Sequence, residues 1–170
     1  MAYGLLFIVG VLNSFLTVNY NTYFLKLAEI TSESMYKTIE TGNTLLTRGI
    51  YDPSKLKRGD IITFKVTEKN QDLLYIKRLI GLPYDHIKFI DGELYINDEK
   101  INEPYISYED KFNGEFVVPA DHYFFLGDNR LLSYDSRYLE QPFIQSENLY
   151  GKAIAFIFPI KKLSIITNPY

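Results

Sequence analysis

The sequence predicts a mostly β protein: an antiparallel β-sheet domain behind one apolar N-terminal helix. Three observations lead there. The first charged side chain is Lys26, so an uncharged, largely apolar segment precedes the rest. Downstream of it, short runs alternate apolar and polar residues, as half-buried strands do. Gly, Pro, Asn and Asp punctuate those runs at the spacing of turns.

Within residues 1–25, Gly4 to Val18 is mostly apolar, interrupted by Asn13 and Ser14. A spanning helix needs about 20 predominantly apolar residues. Tyr3 at one end and Tyr20, Tyr23 and Phe24 at the other extend the run and resemble an interfacial aromatic belt. Residues 1–25 are therefore expected to be a single membrane anchor. Two other readings compete, a cleaved signal peptide and a buried core helix. The first would want a basic flank and a clear small-residue cleavage site. No Lys or Arg precedes the segment, so charge does not orient it.

Residues 26–170 carry the β pattern. Strands are expected at "FLKLAEI" (24–30) and "TLLTRGI" (44–50). "DPSKLKRGD" (52–60) is a loop, and "IITFKV" (61–66) a β-branched strand. "EKNQD" is a hairpin loop leading into "LLYIKRLIGL" (73–82). "DHIKFIDGELYINDEKI" holds Asp91-Gly92 between two alternating runs, a strong hairpin signal that opens a small insertion at about 86–117. "EFVVP", "HYFFLG" and "GKAIAFIFP" complete the series. "SESMYKTI" holds at most a short turn.

Composition narrows the chemistry. Among 170 residues, 46% are hydrophobic, with 15 Tyr and 12 Phe, enough for a core. A formal net charge of −3 argues against nucleic acid, which calls for a basic field. The absence of cysteine excludes a thiol nucleophile, a disulfide framework and a cysteine-ligated metal. His86 and His122 fall in no metal-ligand spacing, so no metal or other cofactor is expected.

Three clusters could do chemistry. Ser32 and Ser34 stand two apart after the first strand. A serine hydroxyl needs a base. Lys77 sits among Leu74, Tyr75, Ile76, Leu79 and Ile80, and a lysine desolvated by such neighbours loses its proton more easily. On composition alone the plainer reading is favoured, that Lys77 and Arg78 end a strand and snorkel to water. The third cluster, Phe124 to Leu139, packs Asp128, Asn129, Arg130, Ser133, Asp135 and Arg137 after an aromatic strand. Alone it reads as a polar loop, although Asp135 and Arg137 are spaced to form a charge-assisted pair.

"SESM" at 32–35, "RGDIITF" at 58–64, "YIKRLIGLPYD" at 75–85 and "GDNRLLSYDSR" at 127–137 resemble, in order and spacing, the boxes of bacterial type I signal peptidase. The resemblance spans roughly residues 24–160 and implies a signal-peptidase-like antiparallel β-sheet catalytic domain with one transmembrane helix. It implies Ser34 as nucleophile, Lys77 as general base, and Ser32 as a partner of the Ser34 backbone N–H at the oxyanion. Ser133 matches the serine that holds the lysine amine, and Asp135 and Arg137 match the pair bracing that loop. Ile30, Met35, Ile39 and Ile76 match positions lining apolar pockets for small side chains. The implied activity is membrane-bound serine endopeptidase cleavage of preprotein signal peptides after small residues, at Ala-X-Ala-like sites. The implied location is the inner, or cytoplasmic, membrane, with lipid as a partner and the catalytic domain on the extracytoplasmic side.

The sequence departs from the family at several points. Thr31 and Lys37 stand where prolines are usual, Asn43 replaces an acid, and Tyr84 stands where Gly is common. Leu131 and Leu132 replace polar residues, and Tyr134 occupies a position that is often small. Two alternatives follow: a dedicated maturation peptidase of a conjugation or secretion system, and a catalytically silent membrane-anchored binding module. A self-cleaving repressor-like domain shares the Ser–Lys logic but would want a basic DNA-reading segment.

Overall fold

The structure, a computed structural model, describes residues 25–170. The expected membrane anchor lies outside the described residues except for Leu25, which already belongs to strand β1. Among the described residues no helix is long and apolar enough to cross a membrane.

The larger sheet is built from β1 (Leu25–Glu29), β2 (Thr44–Gly49), β3 (Ile61–Glu68), β4 (Gln71–Gly81), β9 (His122–Leu126), β10 (Ile144–Gln145), β11 (Leu149–Phe158) and β12 (Ser164–Ile165). Its order is β1-β2-β11-β3-β4-β9-β10, with β12 also on β11, and every pairing is antiparallel. A second sheet, β7-β6-β5-β8, comprises β5 (His86–Ile90), β6 (Glu93–Ile96), β7 (Glu99–Lys100) and β8 (Gly114–Val117).

The turns follow from their residues. Strands β3 and β4 run further than the sequence pattern suggests, and the loop between them shrinks to Lys69 and Asn70. Both central residues have positive φ, 48° and 62°. That left-handed twist matches the strands in a two-residue hairpin, and Asn tolerates it best after Gly. Asp91-Gly92 repeats the arrangement with φ of 50° and 87°. The two-residue strands β7, β10 and β12 are too short to show a period, which is why pattern reading passes over them.

The register of the central hairpin sets the site. Ile61 pairs with Arg78, Ile62 with Lys77 and Thr63 with Ile76. Lys77 is thereby held mid-sheet, beside a strand whose Ile61, Ile62 and Phe64 are buried. The Phe64 and Phe125 rings stack at 4.4 Å within one core, which also holds Leu56, Leu79 and Ile144. A second core, with Ile87, Phe89, Leu94 and Phe124, joins the smaller sheet to the larger. A third holds Ile30, Met35, Ile39, Leu45, Ile61 and Ala153. Full burial of such side chains is worth roughly 1.5–3 kcal/mol each, so this third cluster fastens the segment after β1 firmly to the sheet.

Candidate active site

The segment between β1 and β2 is a closed loop. Ile30 N donates to Asn43 O at 2.9 Å, and Gly42 N donates to Ile30 O at 2.8 Å. Inside it, Ile39 N donates to Met35 O at 2.8 Å, forming a turn. Asn43, standing where an acid was expected, accepts from Glu40 N through its side-chain oxygen at 3.1 Å. Met35 and Ile39 point into the third core and are fully buried. The residue between these anchors and the strand, Ser34, is left facing Lys77.

Lys77 Nζ lies 2.8 Å from Ser34 Oγ and 3.1 Å from Ile76 O. Ser32 Oγ is 3.2 Å from Ser34 Oγ. The three side chains therefore form one hydrogen-bonded row, although Ser34 and Lys77 are 43 positions apart. Lys77 is 5% exposed. Burial disfavours its ammonium and lowers its pKa from 10.5 to about 8, against a smaller upward pull from the Asp135 carboxylate.

Asp135 is fully buried and strongly paired. It accepts from Arg137 Nε at 2.8 Å, Arg137 Nη2 at 2.9 Å and Gly127 N at 3.0 Å. Arg137 also pairs with Asp110 and donates to Arg130 O at 2.9 Å. With its negative charge engaged by a guanidinium, Asp135 pulls only weakly on Lys77, and desolvation wins.

The remaining expected residues divide. Ser133 is buried, but its Oγ has no hydrogen-bond partner among the described residues. The bond to the lysine amine implied by resemblance is therefore not made in this structure. Lys77 instead spends its second contact on the carbonyl of its own strand neighbour. Ile30 and Ile76 line a cleft of about 340 Å³ with Ser32, Ser34, Lys77 and Tyr134. Met35 and Ile39 do not reach that cleft; both lie beneath it as core, because the turn after Ser34 aims them at Leu45 and Ile61.

Sequence reasoning assigned no role to the group that grips the serine loop. Arg78 Nε and Nη2 donate to the two carboxylate oxygens of Asp128 at 2.8 and 2.6 Å, both residues buried. Thr38 Oγ1 donates to Asp128 Oδ2 at 2.5 Å. Asn129 N donates to Ser34 O at 3.0 Å, and Asn129 Nδ2 donates to Glu33 O at 3.2 Å. The Arg78 guanidinium also lies 4.0 Å from the Tyr105 ring centroid. Side chains alternate along a strand, so Arg78 points away from Lys77. That alternation, together with the acid in "GDNR", was the available signal. Gly127 completes the joint: a Cβ there would overlap the Ser34 carbonyl oxygen and Ser133 Oγ. Lys37, unexpected in this box, holds its ammonium 6.0 Å from the Tyr108 ring centroid, at the outer limit of a cation–π contact.

Comparison with known proteins places the chain in a family. Residues 2–158 match the family described as signal peptidase, peptidase S26. A probable signal peptidase I-2 of Synechocystis sp. is 33% identical over 159 residues, spanning 90% of this chain and 72% of that protein. A signal peptidase I of Bacillus caldolyticus is 35% identical over 151 residues, 79% of this chain and 80% of that protein. A crystal structure of a signal peptidase I from Enterococcus faecalis aligns with 58% of this chain and 96% of its own, at 33% identity and a TM-score of 0.47. The chain belongs to the signal peptidase family, peptidase S26.

Proposed function

We propose that this serine peptidase removes signal peptides from preproteins by a Ser34–Lys77 dyad, cutting after small residues. The observation that carries the reading is the 2.8 Å contact between Ser34 Oγ and a lysine amine whose pKa is lowered to about 8 by burial.

The chemistry follows from the proton balance. Neutral Lys77 takes the Ser34 hydroxyl proton as Oγ bonds to the scissile carbonyl carbon. At pH 7 a lysine of pKa about 8 is neutral roughly 10% of the time, about 300-fold more than an unperturbed one. The carbonyl oxygen becomes an oxyanion, with the Ser34 N–H and the Ser32 hydroxyl as its donors. One such donor is worth roughly 3 kcal/mol. The Lys77 ammonium then protonates the departing amine as the C–N bond breaks, leaving an acyl-Ser34. Water, deprotonated by Lys77, releases the acyl group and regenerates Ser34. Ile30 and Ile76 on the cleft wall suit small apolar side chains on the acyl side.

Residues 1–25 serve in this reading as a single-pass anchor, with the catalytic domain outside the cytoplasm and cleavage near the bilayer. Tethering to the same surface as a membrane-bound precursor raises the effective concentration of each for the other. Leu25, at the last position of that segment, and Leu27 lie on β1 and are more than half exposed. The test is cleavage of a preprotein by the full chain in detergent. Ser34→Ala and Lys77→Met should each abolish it while the circular dichroism spectrum is kept. Full activity in either folded variant would sink the dyad.

A further inference from the structure

One side chain that borders the active-site cleft has no task in the dyad chemistry. Tyr134 is 47% exposed and lines the 340 Å³ cleft with Ser34, Tyr75 and Lys77. It also lines a second cleft of about 150 Å³, beside Val66, Glu68 and Leu139. Among the described residues no other borders both clefts, so Tyr134 stands between them. Tyr75 stands with it: its ring centroid is 5.1 Å from Lys77 Nζ, and its hydroxyl donates to Glu68, on the second-cleft side, at 3.0 Å.

The path of the proton says which part of a substrate meets Tyr134. The proton that Lys77 takes from Ser34 Oγ must reach the nitrogen that departs when the C–N bond breaks. That nitrogen, and the residue carrying it, must come to Lys77 Nζ. The Tyr75 ring lies 5.1 Å from Nζ, and Tyr134 lines the same cleft. The residue just after the scissile bond, the first of the mature protein, therefore faces Tyr134.

We infer that Tyr134 is a specificity-determining residue for the position after the scissile bond, holding it to small side chains by blocking passage into the second cleft. The inference rests on the Ser34–Lys77 reading. Removing the ring joins the two spaces. A cavity of about 150 Å³ is enough to take a benzene ring, so a Phe side chain at this position then has a place to go.

The experiment uses the full chain in detergent and peptides identical up to the cleavage site, with Ala, Leu or Phe as the first residue beyond it. Wild type should prefer Ala to Phe by about tenfold or more in kcat/KM, the range steric discrimination gives. Tyr134→Ala should bring that ratio to within about threefold, while Tyr134→Phe, which keeps the ring, retains it. A control series varied at the residue before the scissile bond should show the same relative preferences in wild type and Tyr134→Ala. If Tyr134→Ala does not fold, Tyr134→Leu should give an intermediate ratio. An unchanged Ala-to-Phe ratio in the folded variant, or an equal shift in both series, overturns the assignment. Full cleavage by Ser34→Ala would instead overturn the dyad reading beneath it.

Discussion

Replacing Lys77 with Met should stabilise the protein at neutral pH while destroying its activity. Lys77 is 5% exposed and its pKa falls from 10.5 to about 8 on folding. The folded protein thus holds this proton less tightly than the unfolded chain, and between those two values the unfolded chain binds more protons. Stability therefore rises with pH across the window from 8 to 10.5. Below pH 8 the buried ammonium costs its full penalty, about 3 kcal/mol; above 10.5 the penalty is gone. Met has nearly the same length and no charge, so it removes the penalty and loses the contact to Ser34, worth about 1 kcal/mol. The variant should be more stable than wild type by about 2 kcal/mol at pH 6.5. That advantage should shrink by about 2 kcal/mol on going to pH 9.5, as the wild-type lysine sheds its proton. Urea unfolding of both proteins in the same detergent, followed by tyrosine fluorescence at several pH values, measures the difference and cancels every other titrating group. A gap between the two proteins that does not vary with pH would refute the claim that burial depresses this lysine.

The same pKa governs rate: with a saturating preprotein, kcat should rise about tenfold per pH unit below pH 7 and level off above about 8, and a flat profile from pH 6 to 9 would remove Lys77 as the base. Arg78→Met strands the buried Asp128 carboxylate and should cost roughly 3–5 kcal/mol in urea unfolding, whereas an effect below about 1 kcal/mol would mean the pair is not buried as described. Ser133→Ala removes a buried hydroxyl without a partner, so stability should stay level or rise by about 1 kcal/mol. A fall in kcat in that stable variant would show that Ser133 meets Lys77 once substrate is bound. Gly127→Ala should abolish cleavage, because its methyl group needs the space of the Ser34 carbonyl oxygen, and retained activity would show that the loop has room to yield.

What could be read from the sequence was what depends on neighbours in the chain. The strands around Phe64, Leu79 and Phe125 show themselves through alternation and β-branched or aromatic content, and the Asp91-Gly92 turn through its residue types. Two-residue strands such as β10 have no period to detect. Contacts that depend on register lay out of reach of local pattern, and the pairing of Ser34 with Lys77 entered only through the family resemblance. Ser34 meets Lys77 only because Ile62 pairs with Lys77 and the Ile30–Asn43 loop closes over the sheet. Met35 and Ile39 look the same in sequence whether they face a substrate or the core; the turn after Ser34 decides for the core. Arg78 and Asp128 are 50 positions apart, and no local pattern joins them. The free Ser133 hydroxyl marks the limit of resemblance as a guide to side-chain contacts.

The joint between residues 127–129 and the serine loop bears on how the chain is made. Thr38 and Asp128 are 90 positions apart, and the carbonyl of Ser34 is held by the N–H of Asn129. Synthesis runs from the N-terminus, so the serine leaves the ribosome well before the residues that orient it. A growing chain with Ser34 and even Lys77 already exposed still lacks the clasp that sets the nucleophile's direction. In the Ser34–Lys77 reading, completion of the β9 region works as an arming step, because until residues 127–129 are made Ser34 lacks the contacts that orient it.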